Sequence, residues 1–163
     1  MSDETGDLAG FLPYQLSVAS NAVSALIAER YRKRFALKVP EWRIMAVLGD
    51  AEGLGGSMTQ RALTAATVMD KVAVNRAARV LEERGLIARV PNPEDGRSHL
   101  LALTAEGRAI HAEVMPLARA TEAELLAQFP RADEERLRAL LARLRARAME
   151  LAGDETAAGP EQD

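Results

Sequence analysis

Between Asp70 and Leu103 the hydrophobic period of the chain switches once, from helical to alternating, with Gly85 at the switch. This limits the fold sharply, because a helical stripe cannot be read as a strand or the reverse. On a helical wheel of about 100 degrees per residue, Val80, Ala73, Ala77, Leu81, Val74 and Ala78 gather on one side. Lys71, Glu82, Asn75, Arg79, Glu83 and Arg76 gather on the other. Asp70 suits the N-cap of this helix and Gly85 its C-terminal stop. Leu86–Val90 and His99–Leu103 then read as two short strands around a turn-rich tip, Pro91–Ser98.

The flanks read as helices. Residues 13–37 place Leu16, Ala19, Val23, Leu26, Ile27 and Tyr31 at helical spacing, with Pro13 in the first turn. A second helix is expected from about Pro40, with Glu41 at its positive end and Trp42, Met45, Ala46 and Leu48 on its buried side. Gly53-Leu54-Gly55-Gly56 should stop it. A short helix over about 59–66 and a turn at 67–69 lead into the segment described above. After Thr104, a natural N-cap, an amphipathic helix is expected over 105–128, with a kink or stagger at Pro116. Pro130 closes it, Asp133 is expected to cap the last helix, and Glu134 and Glu135 suit that helix's first turn. Leu137, Leu140, Leu141, Leu144, Ala148 and Leu151 form its stripe.

Helix, helix, helix–turn–helix, hairpin, helix, helix is the order of a winged-helix module with helical flanks. The fold class expected is mainly α with a small β-hairpin wing (α+β). Residues 1–37 supply an N-terminal arm and helix, 38–104 the winged lobe, and 105–152 the C-terminal helices. The acidic tail 153–163 is poor in large apolar groups and is expected to be disordered. The flanking helices offer more apolar stripe than one small lobe can cover, so a symmetric dimer is expected. Leu16, Leu137, Leu140, Leu141, Leu144 and Leu151 are its candidate contacts.

The formal net charge of −3 is unpromising for a nucleic-acid binder, but it is unevenly spread. Residues 57–104 carry seven Lys and Arg against five Asp and Glu, the only net basic third of the chain. A local basic face matters more than the total. With no cysteine, disulfides, thiolate metal sites and thiol redox sensing are excluded. The acidic start MSDETGDLAG does not read as a signal peptide, and no apolar run approaches a membrane span. A cytoplasmic location is the default expectation.

Lys71, Asn75, Arg76 and Arg79 populate the N-terminal and middle turns of the polar face, the part of a reading helix that meets base edges. Arginine pairs with guanine and asparagine with adenine. Val72 also projects on this side, where it either covers a thymine methyl group or is simply a half-exposed valine. At the tip of the hairpin, Arg97 stands where a wing would enter the minor groove, and Asp95 is placed to hold it or the loop. Arg89 and Asn92 are candidate phosphate contacts. Taken alone, each face could be an ordinary solvated surface; their order along the chain favours DNA.

Catalysis finds little support. His99 and His111 are the only histidines, and no H-E-x-x-H, G-x-S-x-G or phosphate-loop pattern occurs. Glu122 and Glu124 are two apart on a helix and do not share a face. No enzyme activity, metal or cofactor is expected.

The run LTAATVMDKVAVNRAARVLEERGLIARVPNPEDGRSHLLALTAEGR resembles the MarR family of transcription regulators. LEERGLI, followed by a D-x-R-S wing and LTAEGR, carries the likeness most specifically. The resemblance implies a homodimer on a pseudo-palindromic double-stranded operator, repression of nearby genes, and release by a small aromatic or phenolic effector. Residues 70–79 carry over as the reader, Asp95 and Arg97 as the wing pair. Ser57 and Thr59 match the start of the supporting helix, with phosphate contact implied. An effector would sit where the first two helices face the lobe, near Tyr14, Ser17, Asn21 and Trp42. The family wing often has two adjacent arginines after the aspartate; here Gly96 replaces the first. The rival reading is a winged-helix protein–protein interaction module without specific DNA binding, which the net acidic chain allows.

Overall fold

In the computed structural model, residues 7–51 and 56–157 of the 163 are described. Helix α1 (Leu12–Phe35) starts with Pro13 in its first turn and stops where Ala36 adopts a left-handed conformation, φ 51°. The stop comes two residues before the expected end, and alanine gives no sequence signal for it. Helix α2 (Val39–Asp50) carries Pro40 in its first turn, and the Lys38 N–H donates to the Glu41 carboxylate at 2.9 Å. Trp42, Ile44, Met45 and Leu48 are its buried apolar side. Of the glycine stop expected after α2, Gly53, Leu54 and Gly55 lie outside the described residues.

Strand β1 (Ser57–Thr59), β2 (Ile87–Pro91) and β3 (His99–Leu103) make a three-stranded antiparallel sheet in the order β1-β3-β2. Two strands were expected. Ser57, assigned by resemblance to the start of a helix, lies instead in β1, opposite Ala102. Helix α3 (Gln60–Thr67) begins after it, with Thr59 Oγ1 accepting from the Ala62 N–H at 3.1 Å. It ends in a second left-handed residue, Val68, φ 52°. Helix α4 (Lys71–Glu83) has the expected cap, Asp70 Oδ1 accepting from Ala73 N–H at 2.8 Å. Gly85, φ 69°, ends it, and the Leu86 N–H returns to the Leu81 carbonyl at 2.9 Å.

Helix α5 (Ala105–Leu126) is anchored through Thr104. The Thr104 hydroxyl donates to the Gly85 carbonyl at 2.7 Å and its oxygen accepts from the Gly107 N–H at 3.0 Å. The Thr104 N–H donates to the Leu86 carbonyl at 3.0 Å. Gly107 lets α5 approach that carbonyl, and Arg108 Nη1 donates to the Leu103 carbonyl at 2.8 Å. The run LTAEGR is thus a joint between hairpin and helix. The helix continues through Pro116 without a break in its assignment.

The chain forms two compact units, residues 1–121 and 122–163. The first holds a core of Tyr31, Leu37, Ile44, Met45, Leu48, Leu63, Val74, Leu81, Leu86, Leu101 and Val114. The second is built on helix α6 (Arg131–Ala157). Asp133 does not cap it. The helix begins two residues earlier, and the Pro130 carbonyl accepts from the Asp133 N–H at 2.9 Å, leaving Asp133 in the first turn. The helix also runs on through Ala157, past the expected start of a disordered tail at 153. Extending an existing helix adds one hydrogen bond per residue fixed, so a polar end need not unwind at once. Arg138 joins Glu122 and Glu134, each at 2.8 Å, within this unit.

Candidate nucleic-acid interface

The small apolar face of α4 is buried as its period requires: Val74, Ala77, Ala78 and Leu81 are inside. That leaves Lys71, Val72, Asn75, Arg76 and Arg79 on the exposed side. Val72 is 65% exposed, so it has no core partner. The α4 N-terminus adds the positive end of the helix dipole to these cations. Among the described residues, Lys71, Arg76 and Arg97 make no ion pair, whereas Arg79 reaches Glu83 at 2.9 Å, one turn on. Both groups of that pair are well exposed, and such a pair is weak enough to yield to a phosphate.

Arg89 stands differently. Its guanidinium forks onto Glu82 at 2.7 and 3.1 Å, binding β2 to the far end of α4. Its charge is largely compensated there. Glu82 and Glu83 both lie in the last turn of α4, and each carboxylate holds an arginine at that end.

The hairpin tip is organised by its own polar side chains. Asn92 Nδ2 donates to Ser98 Oγ at 2.8 Å, while its Oδ1 accepts from the Glu94 N–H at 3.0 Å. Both ends of the Asn92 amide are therefore engaged inside the loop, not presented outward. Asp95 Oδ1 accepts from the Arg97 N–H at 3.0 Å, and the Ser98 N–H donates to the Asp95 carbonyl at 3.0 Å. Of the two roles open to Asp95, the loop is the one it takes. These bonds leave the Arg97 side chain exposed at the tip.

The supporting helix contributes a residue that sequence reasoning missed. The Gln60 side-chain amide donates to Asn75 Oδ1 across the α3–α4 turn. A contact between residues in different helices has no periodic signature. Thr59 is occupied as a cap, with its hydroxyl hydrogen still available.

The four residues associated by resemblance with an effector are not gathered into one enclosed space. Tyr14, Ser17 and Asn21 are exposed on α1, and Ser17 Oγ donates to the Pro13 carbonyl at 3.0 Å. Trp42 is buried, stacked on His111 with centroids 5.6 Å apart and tilted against Tyr31 at 5.7 Å. Gly49 makes room for that stack, since a Cβ there would stand 2.4 Å from His111 Nε2. Burial pushes the Tyr31 phenol up to about 12, outweighing the lowering by Arg32 and Arg43. A depression of about 530 Å³ lies along α1, lined by Leu26, Glu29, Arg30, Arg32 and Lys33, and includes none of the four.

A capped supporting helix, a second helix with an exposed cationic N-terminal half, and a sheet ending in an arginine-tipped hairpin define a winged helix-turn-helix protein. The chain belongs to the MarR family: residues 37–98 match that family's model. It is 30% identical over 99 residues to the transcriptional regulator HosA of Escherichia coli O111:H-, a match covering 61% of this chain and 70% of that one. An HTH-type transcriptional repressor of Mycobacterium tuberculosis is 29% identical over 136 residues, 83% of this chain and 91% of its own. A crystal structure of a MarR/EmrR family transcriptional regulator from Acinetobacter sp. ADP1 has the same fold. Its TM-score is 0.79 at 26% identity, with 89% of this chain and 99% of that one aligned.

Proposed function

We propose that this protein is a sequence-specific, double-stranded DNA-binding regulator of transcription, without catalytic activity, that represses genes near its operator. The single observation carrying this reading is the row Lys71, Val72, Asn75 and Arg76, exposed on the N-terminal half of α4 while the opposite face is buried. A helix so placed offers donors and a methyl-sized apolar group to base edges. Arg97 extends the contact to the neighbouring minor groove, where negative potential draws arginine.

A homodimer on a pseudo-palindromic operator is part of the proposal. Leu137, Leu140, Leu141, Leu144 and Leu151 are between 41% and 50% exposed, a row of leucines that a second copy would cover. Leu16, the α1 candidate, is partly buried in the single chain, and exposed Leu12 and Val18 lie near it. Two lobes would then address successive major grooves about one helical turn apart. Release by a small aromatic or phenolic effector completes the reading, with Trp42 as the residue to probe. A cytoplasmic location fits a regulator of this kind; among the described residues, no helix is long and apolar enough to cross a membrane.

Footprinting on the promoter beside the protein's own gene, across a salt series, tests the reading. Protection of an inverted repeat, lost steeply as salt rises, is the expected result. Binding indifferent to sequence at every salt concentration would instead favour the protein-interaction module.

A further inference from the structure

We propose that Gln60 is a positioning residue for base reading: it holds the Asn75 amide in one orientation, so that Asn75 turns its Nδ2–H groups toward the base edge. The proposal rests on the DNA-binding reading above. Asn75 is exposed one turn into α4, three residues beyond Val72 and four before Arg79. From the first residue of α3, Gln60 Nε2 donates to Asn75 Oδ1. The pair joins the supporting helix to the reading helix directly at the face that would meet the groove.

A side-chain amide has two unlike ends, an acceptor oxygen and a donor NH₂. Free to turn over, it can match either kind of base edge and so discriminates poorly. A neighbour that engages one end decides which end is left. Gln60 is the first residue of α3, and its NH₂ is the end turned to Asn75. Its backbone is also fixed: Thr59 before it caps the helix and pairs with Leu100 in the sheet, and Thr64 Oγ1 donates to its carbonyl at 2.8 Å.

The consequence is a base preference at one operator position. Purine N7, guanine O6 and thymine O4 accept hydrogen bonds in the major groove, whereas cytosine offers only its amino donor. Asn75 Oδ1 keeps a second lone pair beside its bond to Gln60, so adenine, which presents one acceptor and one donor, fits best. Cytosine fits worst.

The test begins with selection from a randomised duplex library by the full-length protein, followed by anisotropy titrations on the selected duplex and its single-base variants. The position at which Asn75→Ala abolishes discrimination is the one to follow. Adenine is expected to be preferred there. Gln60→Ala should reduce the preference by about 3- to 10-fold, the worth of one neutral hydrogen bond, without changing other positions or the salt slope. Gln60→Glu is the sharper variant: a carboxylate only accepts, so Asn75 must turn over to donate to it and present its oxygen. Cytosine should then rise to match or exceed adenine at that position alone.

Unchanged base preference in both Gln60 variants would overturn the proposal, as would an equal relaxation at every position, which signals a merely structural role. Loss of no discrimination in Asn75→Ala would overturn it too. Failure of the wild-type protein to select any duplex would instead sink the DNA-binding reading on which it rests.

Discussion

A Cβ placed on Gly107 would stand 2.0 Å from the carbonyl oxygen of Leu86. That carbonyl already accepts from the Thr104 N–H at 3.0 Å, so neither partner can move without disturbing the joint between hairpin and α5. Replacing a helical glycine by alanine would ordinarily gain up to about 1 kcal/mol from backbone propensity. Here the clash with backbone decides the sign. Gly107→Ala is expected to lose about 2–4 kcal/mol, measured by urea denaturation.

Val68 gives the opposite case. It is β-branched, 76% exposed and left-handed at φ 52°. That conformation costs about 1–2 kcal/mol for a residue with a Cβ, and little buried contact offsets it. Glycine removes the strain but adds freedom to the unfolded chain, worth about 0.4–1 kcal/mol. Val68→Gly should therefore stabilise by about 0.5–1 kcal/mol, a Tm rise of about 1–4 °C. A lower Tm in differential scanning calorimetry would contradict this.

Tyr31 predicts a pH dependence. Its phenol is pushed up to about 12 in the folded protein, chiefly because burial disfavours the phenolate. The unfolded chain loses this proton from about pH 10, while the folded chain keeps it. Stability should fall as pH rises from about 10 toward 12 and level off beyond, with a total loss under about 3 kcal/mol from this group. Tyr31→Phe should flatten that part of the profile relative to wild type, as followed by chemical denaturation at stepped pH.

The two hairpin arginines should separate in their salt response. Arg97 is exposed with no ion pair among the described residues, so Arg97→Ala should reduce the salt slope of operator binding by about one per half-site. Arg89 and Glu82 are a forked pair with no net charge. Replacing both by glutamine should leave the slope nearly unchanged. A wild-type slope in Arg97→Ala would show that the tip does not reach phosphate.

Leu140 and Leu144 lie one turn apart on α6, 49% and 41% exposed in the single chain. Arginine at both positions should spare helix content in circular dichroism and convert the proposed dimer to a monomer in gel filtration. Operator affinity should fall by at least about 100-fold as the two lobes lose their linkage. A dimer that persists would assign the interface elsewhere.

The sequence was most informative where structure is local. Asp70 and Thr104 announced their helices because a cap is a short-range bond, and the burial of Val74, Ala77, Ala78 and Leu81 follows from a period of 3.6. Strand β1 was hidden, since three residues next to a helix show no alternation worth reading. The left-handed stop at Ala36 has no residue-type signal. Asn92 was legible as a polar loop residue but not as one whose amide is engaged at both ends. Trp42 was read beside Tyr14 on neighbouring helices, yet it stacks on His111 of α5, a partner no local pattern could name. Gln60 escaped notice for the same reason.

Arg84 ties α4 to the start of the lobe. At the C-cap of α4 its guanidinium donates to the carbonyls of Phe35 and Ala36 at 2.7 and 3.0 Å and approaches the buried Glu41 carboxylate at 3.9 Å. The C-terminal end of α4 is thus pinned to the link between α1 and α2. Parting α1 from α4 there would pull the guanidinium from both carbonyls and leave the Glu41 carboxylate buried without its nearby cation.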